Sequence, residues 1–201
     1  MAILQVEYLA SLAPARLERL LRRSKEDINQ VLAEVRQILE SLRRDGDAES
    51  LRWHRQYKDD LTAAELEVTP AEIEAAHRRL DPQVLEALQV AAANLEAFHR
   101  AQREREMWAV EVRPGILAGR LVRPIPRVGC YIPGGLASYP SSALMNIIPA
   151  KVAGVKEIIA CTPPGQGMAL NPATLVAAHL AGAHRIFKLG GPWAIGCLLY
   201  T

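Results

Sequence analysis

RVGCYIPGGLASYPSSALMNIIPAKVAGV, residues 127–155, decides the fold. Val128 to Ile132 is a short, largely apolar run of strand length, and Pro133-Gly134-Gly135 interrupts it. A helical pattern resumes from about Ser141 and ends near Gly154. Strand, glycine turn and helix in that order place a ligand at the carboxyl end of a parallel sheet. The same alternation continues outward. Glu157 to Cys161 reads as a strand, Pro163-Pro164-Gly165 as a turn, and Asn171-Pro172 as the start of a helix through Leu180 that Gly182 ends. His184 to Leu189 is a third strand, followed by Gly190-Gly191-Pro192 and a last helix from Trp193 to Tyr200. Strands recurring every ~28 residues with helices between them indicate right-handed crossovers and a parallel sheet. Ile158-Ile159-Ala160 is continuously apolar, as a strand covered on both faces requires.

Before residue 107 the chain is helical. Ser24-Lys25-Glu26-Asp27 resembles a capping box, and Ile28, Val31, Leu32, Val35, Ile38, Leu39 and Leu42 then form one apolar stripe. Asp45-Gly46-Asp47 stops that helix and caps another carrying Leu51, Trp53 and Tyr57. Asp59 to Val68 reads as a connection. Thr69-Pro70-Ala71-Glu72 and Asp81-Pro82 open two further helices, the second running to about Arg105. Trp108 to Val112 and Arg120 to Ile125 are expected as strands around a Pro114-Gly115 turn. The expected class is therefore α/β: a mainly helical portion over residues 1–126, then over 127–201 an incomplete parallel sheet with helices on both faces. Three strands leave the last edge of that sheet exposed, and the chain reads as cut short after Thr201.

Composition excludes several classes of function. Of 201 residues half are hydrophobic, and the formal net charge is +2, too balanced to argue for nucleic acid or an anionic membrane surface. No apolar run approaches the ~18 residues of a membrane span, and the amino terminus resembles no secretion signal. Cys130, Cys161 and Cys197 lie in apolar runs without metal-ligand spacing, the pattern of buried reduced thiols in a cytoplasmic protein. His54, His77, His99, His179 and His184 are scattered over polar helix faces or element ends, and no set of them suggests a metal site. Ser141 and Ser142 read as helix caps rather than nucleophiles, because no general base stands near them.

Tyr131-Ile132-Pro133-Gly134-Gly135 is the strongest candidate site. Adjacent glycines let backbone approach a ligand, and the amides of a turn and helix start can meet a phosphate. Gly190-Gly191 occupies the equivalent place after the third strand, with Trp193 beside it, which points to a shared cleft.

The run RVGCYIPGGLASYPSSALMNIIPAKVAGVKEIIACTPP closely resembles the corresponding region of histidinol dehydrogenases. NPATLVAAHLAGAHRIFKLGG, AIG, TPAEIEAAHRRLDP and NLEAFH resemble that family too, so that the likeness runs from about Ser24 to Tyr200. The resemblance implies a cytoplasmic, zinc- and NAD-dependent enzyme with incomplete Rossmann-like domains. It implies oxidation of the amino alcohol L-histidinol to L-histidine through the aldehyde, in a homodimer. It makes Tyr131 an NAD contact within the set Tyr131, Pro133, Gly134, Gly135, Gly190, Gly191 and Trp193. At Trp193 the family usually carries a glutamine that also contacts NAD, and an indole, with one donor and no acceptor, cannot replace an amide. The family's zinc ligands and proton-moving glutamate and histidine fall beyond the matched stretch, so the resemblance places neither zinc ligands nor catalytic residues here. The expectation is a chain inactive alone, the alternative a nucleotide-binding or partner-binding remnant of that family.

Overall fold

Local capping signals start three of the helices where the sequence indicates. The computed structural model describes residues 8–21, 25–58, 60–134 and 137–200. Helix α1 spans Pro14–Leu21, α2 Lys25–Asp45, α3 Asp47–His54, α4 Pro70–Arg79 and α5 Pro82–Gln102. Strands β1, Met107–Arg113, and β2, Ile116–Leu121, follow. Then come β3 Arg127–Tyr131, α6 Pro140–Ala153, β4 Glu157–Cys161, α7 Pro172–Ala181, β5 Arg185–Phe187 and α8 Gly191–Tyr200. Thr69 caps α4 in a reciprocal box with Glu72, Asp81 caps α5, and Asn171 caps α7 by accepting from the Ala173 and Thr174 amides. Gly154 and Gly182 end α6 and α7 in the left-handed conformation. The Ser24 capping signal lies outside the described residues.

The sheet is parallel in the order β3-β4-β5, with Val128 opposite Ile158 and Ala160 opposite Ile186. Its two faces carry separate cores. Cys130, Ile132, Ile158, Ala160 and Ile186 join Ile147 and Ile148 of α6, Val176 and Ala177 of α7, and Ala76 and Leu88 of α4 and α5. On the other face Cys161 and Leu189 join Ala194, with Cys197, Leu198 and Leu51 against them. Thus α6 and α7 lie on one face while α8 returns across the other to β3, where Leu198 fills the space beside Gly129. This is the expected arrangement of helices on both faces.

Four local expectations are corrected. Strand β2 begins at Ile116 rather than Arg120, because Pro114-Gly115 is a tight turn: Gly115 has φ +79° and donates its N–H to the Glu111 carboxylate at 2.7 Å. Pro124 and Pro126, which have no amide to donate, follow it. The outer edge of β5 is not exposed: Val68 donates to the Ile186 carbonyl at 2.8 Å and Lys188 to that of Leu66 at 2.7 Å. Residues expected as a bare connection therefore cover the edge with an antiparallel bridge, Glu67 to Phe187. Neither Asp47 nor the two serines cap a helix. Gly46 precedes α3 with φ +56°, and Tyr139 precedes α6 with Pro140 in its first turn. Finally, His54 is fully buried, donating from Nδ1 to the Ser50 carbonyl at 2.7 Å, and burial pushes its pKa down.

An ion pair also ties α4 to the residue that follows β5. Lys188, only 5% exposed, donates to Glu72 at 2.6 Å, while the other Glu72 oxygen accepts from the Thr69 amide. Burial works to raise the Glu72 pKa, but Lys188 and the Thr69 groups outweigh it and the carboxyl ends below its usual 4.5. A depressed carboxylate pKa contributes stability that is present above the unfolded value and lost as pH falls through the folded one. Glu72→Gln keeps the capping geometry but strips Lys188 of its counter-charge. It is expected to lower stability at pH 7 by ~1–2 kcal/mol, less than a wholly buried pair would lose because Glu72 is partly solvated. Urea melts between pH 3 and 7 check this: the difference between the two proteins should shrink on acidification below about 4.5.

Candidate functional site

Three parallel strands end side by side, so three turns meet at the carboxyl edge of the sheet. After β3, Ile132 still donates to the Cys161 carbonyl at 2.8 Å, and after β4, Thr162 donates to that of Phe187 at 3.0 Å. Beyond these bonds the chain turns at Pro133-Gly134, Pro163-Pro164-Gly165 and Gly190-Gly191. A Cβ on Gly134 would lie 3.0 Å from Cγ of Pro163, and one on Gly190 would lie 2.6 Å from Cβ of the same proline. The two glycines thus flank Pro163, and their lack of a side chain is required by packing between turns. Gly191, with φ +57°, needs its glycine for the left-handed backbone.

The Tyr131 hydroxyl accepts a hydrogen bond from the Gly191 amide at 3.3 Å. A side chain at the end of β3 is thereby tied to the turn after β5, across the whole width of the sheet. The Tyr131 O–H remains a donor for a ligand. Trp193, two residues on, stacks on Trp53 of α3 with ring centroids 4.6 Å apart and planes 23° from parallel. Its indole nitrogen is buried without a partner, so the side chain offers no hydrogen bond to the cleft. Trp53 also meets His54 and Tyr57 edge-on.

The structure therefore brings Tyr131, Gly134, Gly190, Gly191 and Trp193 to one edge. Pro133 is exposed beside them, and Gly135 lies outside the described residues. Trp53 and Pro163, which hold the set together, are the residues sequence reading missed as site components. Pro163 reads only as a turn residue, and nothing in the spacing of Trp53 connects it to a position 140 residues later.

A cleft of about 260 Å³ opens between the first two turns, lined by Gly134, Ser138, Thr162, Pro163, Asn171 and Thr174 among others. Its lining side chains are neutral, and the favourable potential for an anion comes from the amino end of α7. That volume falls below the ~300–1,000 Å³ of drug-sized ligand sites, so it suits a phosphate or sugar portion of a dinucleotide rather than the whole. The fit to NAD is partial, since of the described candidate residues only Gly134 lines the cleft. For zinc there is none: no group of three or more His, Cys, Asp or Glu among the described residues could hold a metal ion. The thiols are equally unsuited, since burial raises the pKa of Cys130 and takes Cys161 up to about 12.

A larger cavity of about 430 Å³ runs along the α8 side of the sheet, from the Arg127–Glu157 and Arg185–Glu67 ion pairs at the amino ends over Ile159 to Cys161 and Leu189 at the carboxyl ends. No helix among the described residues is long and apolar enough to cross a membrane.

Comparison with known proteins bears on this geometry. The family model described as histidinol dehydrogenase matches residues 21–201. A histidinol dehydrogenase of Methanothermobacter thermautotrophicus is 48% identical over 185 residues, which are 92% of this chain and 43% of that one. One from Methanosarcina mazei is 41% identical over 200 residues, covering all of this chain and 46% of the relative. The crystal structure of histidinol dehydrogenase from Elizabethkingia anophelis superposes with a TM-score of 0.78 at 35% identity, covering 85% of this chain and 39% of that one. The chain thus spans under half the length of the relatives it matches.

Proposed function

The chain belongs to the histidinol dehydrogenase family, and we propose on that premise that it supplies one wall of an NAD site. In this reading the pathway step is oxidation of L-histidinol to L-histidine through the aldehyde, in the cytoplasm, by a homodimeric assembly using zinc. Tyr131, Pro133, Gly134, Gly135, Gly190, Gly191 and Trp193 form the cofactor wall. NAD would supply the hydride acceptor. This chain's residues would orient it: the Tyr131 hydroxyl through its free donor, and the turn amides through their N–H groups.

The observation that carries the proposal is the Tyr131–Gly191 bond, which joins the two glycine turns into one surface at the ligand end of the sheet. Zinc finds no ligand set among the described residues, so no catalytic step is assigned to them. Affinity for NAD is weak, because the cleft accommodates only part of a dinucleotide and the Trp193 indole is turned into its stack with Trp53.

Amide NMR during NAD titration tests the wall. Millimolar NAD should shift the amide resonances of Tyr131, Ile132, Gly134, Gly190, Gly191 and Trp193 without saturating. Shifts confined to the amino ends of the strands would refute the placement. Saturation at micromolar NAD would instead favour the second reading, a free-standing nucleotide-binding module. A third possibility, a partner-binding protein, has one observation in its favour, the exposed β1–β2 hairpin.

A further inference from the structure

Three histidines have their imidazoles engaged by hydrogen bonds: His54 to the Ser50 carbonyl, His99 to Gln102, and His184, whose Nδ1 accepts from the Ile158 amide at 3.0 Å. The imidazoles of His77 and His179 hydrogen-bond to none of the described residues. They meet each other instead, with ring centroids 5.7 Å apart and planes at 86°. His77 is half-buried in the last turn of α4, and His179 is exposed in the last turn of α7. The two helices pack together over Ala76 and Ala178, and both histidines line a groove of about 510 Å³ at the amino end of β5.

This corner suits a cation. Both rings stand at helix carboxyl ends, where unpaired carbonyls and the helix dipole favour positive charge. Glu74, one turn before His77 on the same face of α4, lines the groove too. Its side chain is 73% exposed and held only loosely by Arg78, at 3.8 Å. The groove's other polar side chains are committed. Glu67 accepts two bonds from Arg185, at 2.9 and 2.8 Å. His184, accepting on Nδ1, carries its proton on Nε2 and has no lone pair there to offer a metal.

We propose that His77 and His179 form a clamp for a divalent cation of tetrahedral preference, zinc(II) or cobalt(II), which ties α4 to α7. An ion held by two imidazole nitrogens at ~2.0–2.1 Å, with a tetrahedral angle between them, sets the ring centroids roughly 5.2 Å apart. The observed 5.7 Å is wider by about half an ångström, a gap that rotation of the two side chains about their own bonds closes. Glu74 does not complete a three-ligand group from its present position, and it reaches the ion only by changing rotamer. Water fills the remaining positions. Two imidazoles fall short of the three protein ligands of a catalytic zinc, so the clamp carries no chemistry and acts on stability. It braces the same helix that Lys188 anchors through Glu72.

The experiment titrates the untagged, metal-free chain with cobalt(II), read by the visible absorption of the tetrahedral ion, and then displaces it with zinc(II). One saturable equivalent is expected. Zinc(II) at about a hundredfold excess over its Kd should raise the melting temperature by on the order of 5–10 °C. His179→Asn, at an exposed position, should leave the metal-free melting temperature unchanged and abolish both the cobalt spectrum and the zinc-induced rise. His77→Asn should abolish them as well, and Glu74→Gln should weaken binding severalfold. His99→Asn, which removes an imidazole bonded to Gln102, should change neither readout. NMR of the parent chain needs no variant: substoichiometric zinc should shift the imidazole signals of His77 and His179 before those of the other histidines. Absence of saturable binding overturns the proposal. So does binding that survives His77→Asn or His179→Asn, or zinc shifts that begin at His54, His99 or His184.

Discussion

Ile158→Ala is expected to destabilise the protein by about 3–4 kcal/mol, the most of any single side-chain truncation considered. Ile158 has no exposed surface and sits mid-strand in β4, the central strand of the sheet, beside Val128. It faces the core that α6 and α7 close. The loss therefore combines the transfer of the removed carbons with a cavity that persists. The adjacent Ile159 supplies the contrast. It is 8% exposed, points to the opposite face and lines the 430 Å³ cavity, so that its truncation enlarges an existing opening. Ile159→Ala should cost about half as much. Paired urea titrations at fixed pH measure both. Equal losses would mean that the two faces of the sheet are equally well packed, contrary to the structure.

Gly190→Val should cost about 3 kcal/mol by the opposite mechanism, overpacking. Even the first added carbon would lie 2.6 Å from Cβ and 3.3 Å from Cα of Pro163, and 3.4 Å from the Trp53 ring. Pro163 is a rigid ring between two turns, with Gly134 on its other side, so relief requires the turns to separate. Separation would also strain the Tyr131–Gly191 hydrogen bond. The substitution should accordingly perturb the Tyr131 and Trp193 resonances as well as the melting curve. Gly165→Ala, whose added carbon would meet nothing nearer than the Ala169 carbonyl oxygen at 3.6 Å, is the control and should be within about 0.5 kcal/mol of the parent. A tolerated Gly190→Val would show that the three turns are not locked together.

Much of the fold is legible because its signals are local. Thr69 with Glu72, Asp81 with Pro82, and Asn171 with Pro172 each place a side-chain oxygen where the first free amides of a helix need one. Ile158-Ile159-Ala160 announces a strand covered twice, and the two cores on either face of β4 are the outcome. What stays hidden is non-local. Nothing in residues 66–68 signals a partner 118 residues away, yet Glu67 pairs with Arg185 and closes the edge of the sheet. His54 carries the same imidazole as the exposed histidines, and only the fold buries it under Trp53 and Tyr57. The candidate site is legible to the same degree. Its glycines stand out in the sequence as a place where backbone comes close to something. The structure shows that Gly134 and Gly190 come close to Pro163, and that Trp193 turns to Trp53. The ligand reading therefore rests on Tyr131, on the carboxyl-edge location and on family membership rather than on the glycines themselves.

The proposed function is one wall of a cofactor site, with no metal-ligand set among the described residues. Its most direct test is to supply the purified chain with L-histidinol, NAD and zinc and to follow absorbance of NADH. The account predicts no NADH above a no-protein control at any zinc concentration. Zinc-dependent NADH formation that is lost on Tyr131→Phe would contradict it and place a complete catalytic centre within these residues.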